Sequence, residues 1–299
     1  LKFRKQFERT VETLFFVSAL ASILSVIFIT LFILIEGLPL FFHSATDYPP
    51  PTFFEFFFGT EWFPTDTPPK YGIMPFIVGS LFVTAGALVL AVPIGIAVGV
   101  FIAEIARGRA QKILRSATEI LAGIPSVVYG FFGVMMIGFF LQNFDDPIVN
   151  YNAFSASVIL AVMTLPTIIN ITEVSIRSVP REFADGSFAI GSTHWQTIIR
   201  VLIPAARSGI ITGVILGMGR AIGETMAVLM VAGNQPTIPT EGFRSRVRTL
   251  TMAVVNDMGY AADDHRVALF TTAIVLFAFI LILNLVTQII TRRSSIKVQ

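Results

Sequence analysis

The sequence predicts an all-α membrane protein, a bundle of six transmembrane helices. Three observations carry that prediction. Of 299 residues, 54% are hydrophobic and 13% are charged, whereas soluble domains carry about 25% charged residues. Six apolar stretches are each long enough to cross about 30 Å of hydrocarbon, which takes about 20 residues. The basic residues, finally, divide unequally between the loops that join those stretches.

The first stretch, Val11 to Ile35, follows Lys2, Arg4, Lys5 and Arg9. It exceeds the roughly 7 to 15 residues of a cleaved signal's apolar region, so it reads as a retained helix over about 11–36. The second runs from Ile73 to Ala103 and the fifth from Ile210 to Ala232. Both carry small residues every fourth position: Ala87, Ala91, Gly95, Gly99 and Ala103, then Ala205, Gly209, Gly213, Gly217 and Ala221. Residues so spaced share a helix face, and small side chains let backbones approach closely where lipid supplies no hydrophobic drive. Packing outweighs substrate contact as the reading of these stripes, which places both spans in a bundle or dimer seam. The third, fourth and sixth stretches run from Ala117 to Leu141, Phe154 to Ile176 and Val267 to Ile290. Pro93, Pro125 and Pro166 fall within spans, where a missing amide donor kinks or breaks a helix. Broken helices at membrane depth tend to line cavities, but ordinary kinks are common.

Six spans put both termini on one side. Fifteen of the 21 basic residues then fall on that side, from Lys2 through Arg293 and Lys297; five, Lys70, Arg244, Arg246, Arg248 and Arg266, fall on the other, and Arg220 lies inside a span. The positive-inside rule makes the richer side cytoplasmic. The expected organisation is one transmembrane domain over 1–299, with an outer loop at about 37–71, a core bundle at about 72–293 and a cytoplasmic segment at 178–207. The outer loop is rich in Pro and Phe, and its aromatics suit the membrane surface.

Arg220 sits some 13 residues into the fifth span, about 20 Å from its cytoplasmic end at 1.5 Å per residue. A central Arg costs about 2.5 to 3.5 kcal/mol on insertion scales, so something must offset it. Glu224, four residues on, lies where the two side chains meet on one helix face. A structural ion pair is one reading. The other is an anion site on a substrate route, because intramembrane charges mark such routes and the guanidinium fork suits phosphate oxygens. Glu224 would then hold the guanidinium between anions and keep binding weak, as a conduit requires. Arg244, Arg246 and Arg248 alternate in the second outer loop, as on one side of an extended segment. They suit attraction of an anion or docking of an acidic partner, and a solvated charge run accounts for them equally well.

Other chemistries are missing. With no cysteine there is no disulfide framework or thiolate site. None of the five lysines follows a glycine, which excludes the P-loop pattern G-x-x-x-x-G-K-[ST]. His43, His194 and His265 are too isolated for H-E-x-x-H and read as surface histidines. No Gly-x-Ser-x-Gly elbow occurs, so no metal site and no enzyme chemistry are expected of the chain alone. The net charge of +2 is sorted by loop rather than gathered on one folded face, so no nucleic-acid partner is expected.

Between spans four and five the chain reads Asp185-Gly186-Ser187-Phe-Ala-Ile-Gly191, then nine residues, then Val201-Leu-Ile-Pro204. This resembles the coupling motif of ABC importer permeases, E-A-A-x3-G-x9-I-x-L-P, with Asp for Glu, Gly-Ser for Ala-Ala, and Val and Ile for Ile and Leu. Such a motif needs a short helix, a glycine turn and a second helix ended by proline, which together make a rigid hook. The runs Gly59-Thr-Glu-Trp-Phe-Pro64, Glu119 to Phe131 and Gly219-Arg-Ala-Ile-Gly-Glu-Thr-Met226 narrow the resemblance to phosphate permeases of the PstC type, over about residues 5–293. The resemblance implies a type I ABC importer permease bundle in the cell membrane, a pore subunit for phosphate with Arg220 and Glu224 on the pathway. Asp185, Gly186, Ser187, Gly191 and Pro204 would then couple it to an ATPase. It further implies a homologous PstA-type subunit, two PstB-type ATPases that use ATP and Mg, and a phosphate-binding protein; this chain itself would hold no cofactor. A permease for another oxyanion, such as sulfate or molybdate, a secondary anion transporter and a membrane scaffold remain alternatives.

Overall fold

Small residues build the centre of the bundle. The computed structural model describes residues 2–43, 48–141 and 151–294, so Lys297 of the basic count lies outside it. Helix α3 (Met74–Val100) lies along helix α6 (Ala153–Arg177) through the first glycine and alanine stripe. A Cβ added at Gly95 would stand 2.7 Å from Ile168 Cγ2, and one at Gly99 2.7 Å from Thr172 Cβ, both inside van der Waals contact. The second stripe closes on α6 from another side: in helix α10 (Arg207–Gly223), Gly213 faces Ile171 and Gly217 faces Ile168. These registers also fix direction. Rising numbers on α3 meet rising numbers on α6, so the two run parallel, while α10 runs antiparallel to both. The stripes are therefore a seam within this one chain, with α6 at its middle.

Among the described residues, four stretches are long and apolar enough to cross a membrane unbroken: Arg9–Phe41, Met74–Ile105, Ala153–Arg177 and Asp263–Ile289. Two bent helix pairs raise the number to six. The third span, expected as one helix from Ala117 to Leu141, is instead α4 (Gly108–Gly123) and α5 (Ser126–Leu141), which meet at 97°. Pro125 is the cause. Its ring disfavours helical geometry in the preceding residue, and Ile124 is extended at φ −70°, ψ 128°. Pro93 and Pro166 sit inside α3 and α6 without ending them.

Helix α1 (Lys2–Gly37) starts well before the expected residue 11 and leaves most of its apolar side chains outward, as lipid contact requires. It joins the bundle at its end, where Thr271 Oγ1 donates to Gly37 O at 2.7 Å and Phe32 meets Phe270 edge-on. The proline- and phenylalanine-rich loop folds into a cap. Thr52 and Glu55 form a capping box at the start of α2 (Phe53–Phe58), whose Phe56 is buried while Phe53, Phe54 and Phe58 stay exposed. A two-residue hairpin follows, β1 (Trp62–Phe63) with β2 (Lys70–Tyr71). Phe56, Trp62 and Tyr71 pack with Phe76, Leu250 and Leu269, which seats the cap on α3, α12 (Leu250–Asp257) and α13 (Asp263–Ser294).

One ion pair pins that cap. Arg248 grips Asp257 with two bonds, Nη1 to Oδ2 at 3.0 Å and Nη2 to Oδ1 at 2.9 Å, and its Nε donates to Asn234 at 2.7 Å. Trp62 Nε1 and Tyr260 OH also donate to Asp257, at 3.3 and 2.5 Å. Burial alone would raise the Asp257 pKa, but contacts with His265, Tyr260 and Asn256 and the Arg248 charge outweigh it and hold the carboxyl well below the usual carboxylate range. Arg248 is thus buried and fully engaged, which corrects its expected part in anion attraction. His265 is buried as well, 3.7 Å from Asp257, and is not a surface histidine.

Candidate functional site

The fifth span ends earlier than its hydropathy suggests. Helix α10 stops at Gly223; Glu224 turns extended at φ −72°, ψ 131°, and a six-residue helix, α11 (Met226–Val231), follows. A side-chain pair four residues apart needs a continuous helix, so the expected meeting of Arg220 and Glu224 does not occur and no ion pair joins them. Glu224 Oε1 instead accepts from the amides of Thr225 at 3.2 Å and Ala227 at 3.3 Å. Its carboxylate therefore satisfies the free amides at the start of α11. Thr251 Oγ1 donates to the Glu224 carbonyl at 3.0 Å, tying the break to α12.

Among the described residues, no carboxylate pairs with Arg220. Its Nη1 reaches Thr167 Oγ1 on α6 at 3.5 Å, and the side chain is exposed on a face that the other described residues do not cover. Gly219 and Gly223 flank it with no atom near the place of a Cβ. Arg220 also lies within electrostatic reach of Tyr129 on α5, whose hydroxyl donates to Leu121 O at 2.7 Å. At 1.5 Å per residue, Arg220 stands about 20 Å along α10 from Arg207. Non-helical backbone at such depth is tolerated where it is buried in protein or lines a cavity. The break, the open glycine face and an unpaired guanidinium coincide here, which gives a wall able to donate hydrogen bonds to a passing anion.

The hook forms as the motif requires. Helix α7 (Arg181–Ala189) turns at Gly191, whose φ of +85° suits glycine, into α8 (His194–Thr197). Thr193 and Gln196 make a capping box at that start, and the Ser187 and Thr197 hydroxyls meet at 2.9 Å across the turn. A π turn over Ile198–Leu202 leads into α9 (Ile203–Ala205), so Pro204 stands one residue before the helix ends, and α10 leaves at a 69° bend. Asp185, Gly186 and Pro204 are exposed. So are Phe183, Phe188 and Trp195, while Ile190 is 85% exposed. Ile198, Leu202, Ala206 and Ile210 pack against Val100 and Ile176, so the hook is fixed rigidly to the bundle.

Of the loop arginines, Arg244 is exposed in a short 3-10 turn, Arg246 is half-buried and Arg248 is committed to Asp257. Sequence reasoning missed two carboxylates, Asp257 of the cap and a second one beside the hook. Glu173, near the end of α6, is 2% exposed and accepts from Arg115 Nη2 and Arg177 Nε, each at 2.9 Å. The signal was present: a lone carboxylate four residues before Arg177 at the close of an apolar run.

A helical bundle with a rigid hook and a broken, arginine-bearing span defines an integral membrane permease. Residues 95–296 match the binding-protein-dependent transport system inner membrane component, and the chain belongs to that family. It is 40% identical over 242 residues to the probable ABC transporter permease protein YqgH of Bacillus subtilis, covering 81% of this chain and 76% of that protein. It is 33% identical over 247 residues to the phosphate transport system permease protein PstC of Mesorhizobium japonicum, covering 76% and 73%. With PstC 1 of Mycobacterium tuberculosis it shares 32% over 277 residues, covering 80% and 82%. Among solved structures it is similar to the inward-facing MetNI methionine ABC transporter, with a TM-score of 0.61 at 16% identity over 75% of this chain and 96% of that one. That likeness shows the fold of a type I ABC importer permease. The protein is a multi-pass inner-membrane permease subunit of an ABC importer, a class that works with an ATPase and a substrate-binding protein.

Proposed function

We propose that this chain is the pore subunit of an ATP-driven phosphate importer, and that Arg220 is the group the anion meets within the membrane. The observation that carries the proposal is the Arg220 guanidinium, held at a helix break with no carboxylate partner and one side open among the described residues. Its planar fork matches a tetrahedral oxyanion, and the kinship with PstC proteins argues for phosphate. Glu224 acts on the route through the backbone: by capping α11 it keeps the break open beside Arg220. The open face belongs against a homologous PstA-type subunit, so that the route runs between the two chains.

Energy comes from elsewhere. Two PstB-type ATPases, using ATP and Mg, dock on the hooks, where Asp185, Gly186, Ser187, Gly191 and Pro204 shape the surface and Ile190, Phe188 and Trp195 fill the groove. Both termini and the hook face the cytoplasm, following the basic residues. A phosphate-binding protein delivers the anion to the opposite end, where exposed Arg244 is placed to meet it. The chain itself performs no catalysis. Uptake into proteoliposomes holding the whole complex tests the substrate: phosphate and arsenate compete with labelled phosphate, and sulfate does not. Equal competition by sulfate and molybdate contradicts the assignment.

A further inference from the structure

Helix α6 has three working sides. Ile168 and Thr172 meet α3, Ile171 and Ser175 meet α10, and the remaining side presents Thr167, half-buried Asn170, exposed Val174 and Arg177. Steps of three and four residues keep those positions on one face. Arg220 touches the first of them, Thr167. Arg177 ends the lane, about 15 Å away at 1.5 Å per residue.

At that end two cations meet one anion. Arg115 of α4 and Arg177 both donate to the same oxygen of Glu173, Oε1, at 2.9 Å. Arg177 Nη2 donates to Ile102 O at 3.2 Å, in the π turn that ends the second span. The group carries a net positive charge. Its carboxylate is 2% exposed, but the Arg115 and Arg177 side chains are 50% and 39% exposed, so much of each fork faces outward. A structural ion pair needs only one arginine for one carboxylate; the second leaves outward-facing donors at the mouth of the lane.

Resting on the phosphate reading above, we propose that Arg115 and Arg177 form a second oxyanion station at the hook end of the route. Glu173 is its resident competitor. An inorganic phosphate leaving Arg220 passes along Thr167 and Asn170 and is received by the outward N–H groups of the two guanidiniums. Glu173 keeps one lone-pair claim on each fork, so the anion is held weakly and released. Two weak stations serve passage better than one tight site.

The test uses the complete complex in proteoliposomes with its ATPase side accessible, and phosphate on that side as inhibitor of import. Arg115→Gln leaves the Arg177–Glu173 pair intact and is expected to fold. It should raise the inhibitory phosphate concentration about tenfold, the loss of one charge-assisted hydrogen bond. Glu173→Gln should shift inhibition the other way and slow turnover, while Arg115→Lys should restore part of the loss. Importing complexes of Arg115→Gln and Arg177→Gln that keep wild-type sensitivity overturn the station. Should the wild-type complex import sulfate or molybdate instead, the phosphate reading fails, and the same variants are tested against the anion that is imported.

Discussion

Among the described residues, no carboxylate offsets the charge of Arg220, some 13 residues along the fifth span. A point charge alone would satisfy attraction, but a tetrahedral oxyanion is best met by the fork of a guanidinium. Arg220→Lys is therefore expected to lower phosphate uptake at least tenfold while the protein still assembles, as read by transport alongside co-purification. Normal uptake in that variant removes the geometric part of the argument. Asp257 makes the opposite use of charge, since its bonds to Arg248, Trp62 and Tyr260 hold the loop cap shut. Asp257→Asn strands a buried guanidinium, and breaking such a pair costs about 3 to 5 kcal/mol. The sign of its pH dependence follows from the depressed pKa. The stabilisation is fully present above the unfolded value of about 3.9 and is lost only as pH falls below it toward the folded value. Thermal unfolding of the purified protein should therefore show a wild-type advantage at pH 7 that shrinks below pH 4. An advantage unchanged at strongly acidic pH contradicts this account.

Helices transmit what single residues cannot. The hook is short, so its rigidity comes from the Gly191 turn, the Ser187 to Thr197 bond and the apolar base at Ile198, Leu202 and Ile210. Its tip is apolar, with Ile190 most exposed, and burial of such a side chain is worth about 1.5 to 3 kcal/mol. Ile190→Asp should release the ATPase from the complex at least tenfold more readily without altering membrane insertion; retained co-purification argues against docking there. Much of this level was legible beforehand. The fourfold spacing of Gly95, Gly99, Gly213 and Gly217 announced close packing, and the pattern from Asp185 to Pro204 announced a hook. The breaks were less legible, because hydropathy reads continuously across Ile124-Pro125 and across Glu224-Thr225 while the backbone does not. Pro125 gave partial warning; nothing at Glu224 did, because a carboxylate four residues after an arginine is also the signature of a continuous helix.

For the molecule as a whole, what the sequence hid was partnership between distant residues. Arg248 with Asp257, and Arg115 with Glu173, read as loop charges or were passed over. Only the fold, with α6 at its centre and the cap seated on α13, brings them together. Composition and the lengths of the apolar stretches pointed to the class and to its spans early, because bilayer thickness and backbone satisfaction leave few options. The architecture then has one seam closed within the chain, one face left open beside Arg220, and a hook rigidly joined to the same helices. On the proposed assembly, such a body would rock against a homologous partner as the ATPases close. The most direct measurement is phosphate import and phosphate-stimulated ATP hydrolysis by the reconstituted complex carrying wild-type or Arg220→Met chains. The wild type should do both, whereas Arg220→Met should assemble yet lose at least nine-tenths of import, roughly the loss of one charge-assisted hydrogen bond. Import at the wild-type rate by Arg220→Met would contradict the claim that the anion meets this guanidinium on its way through.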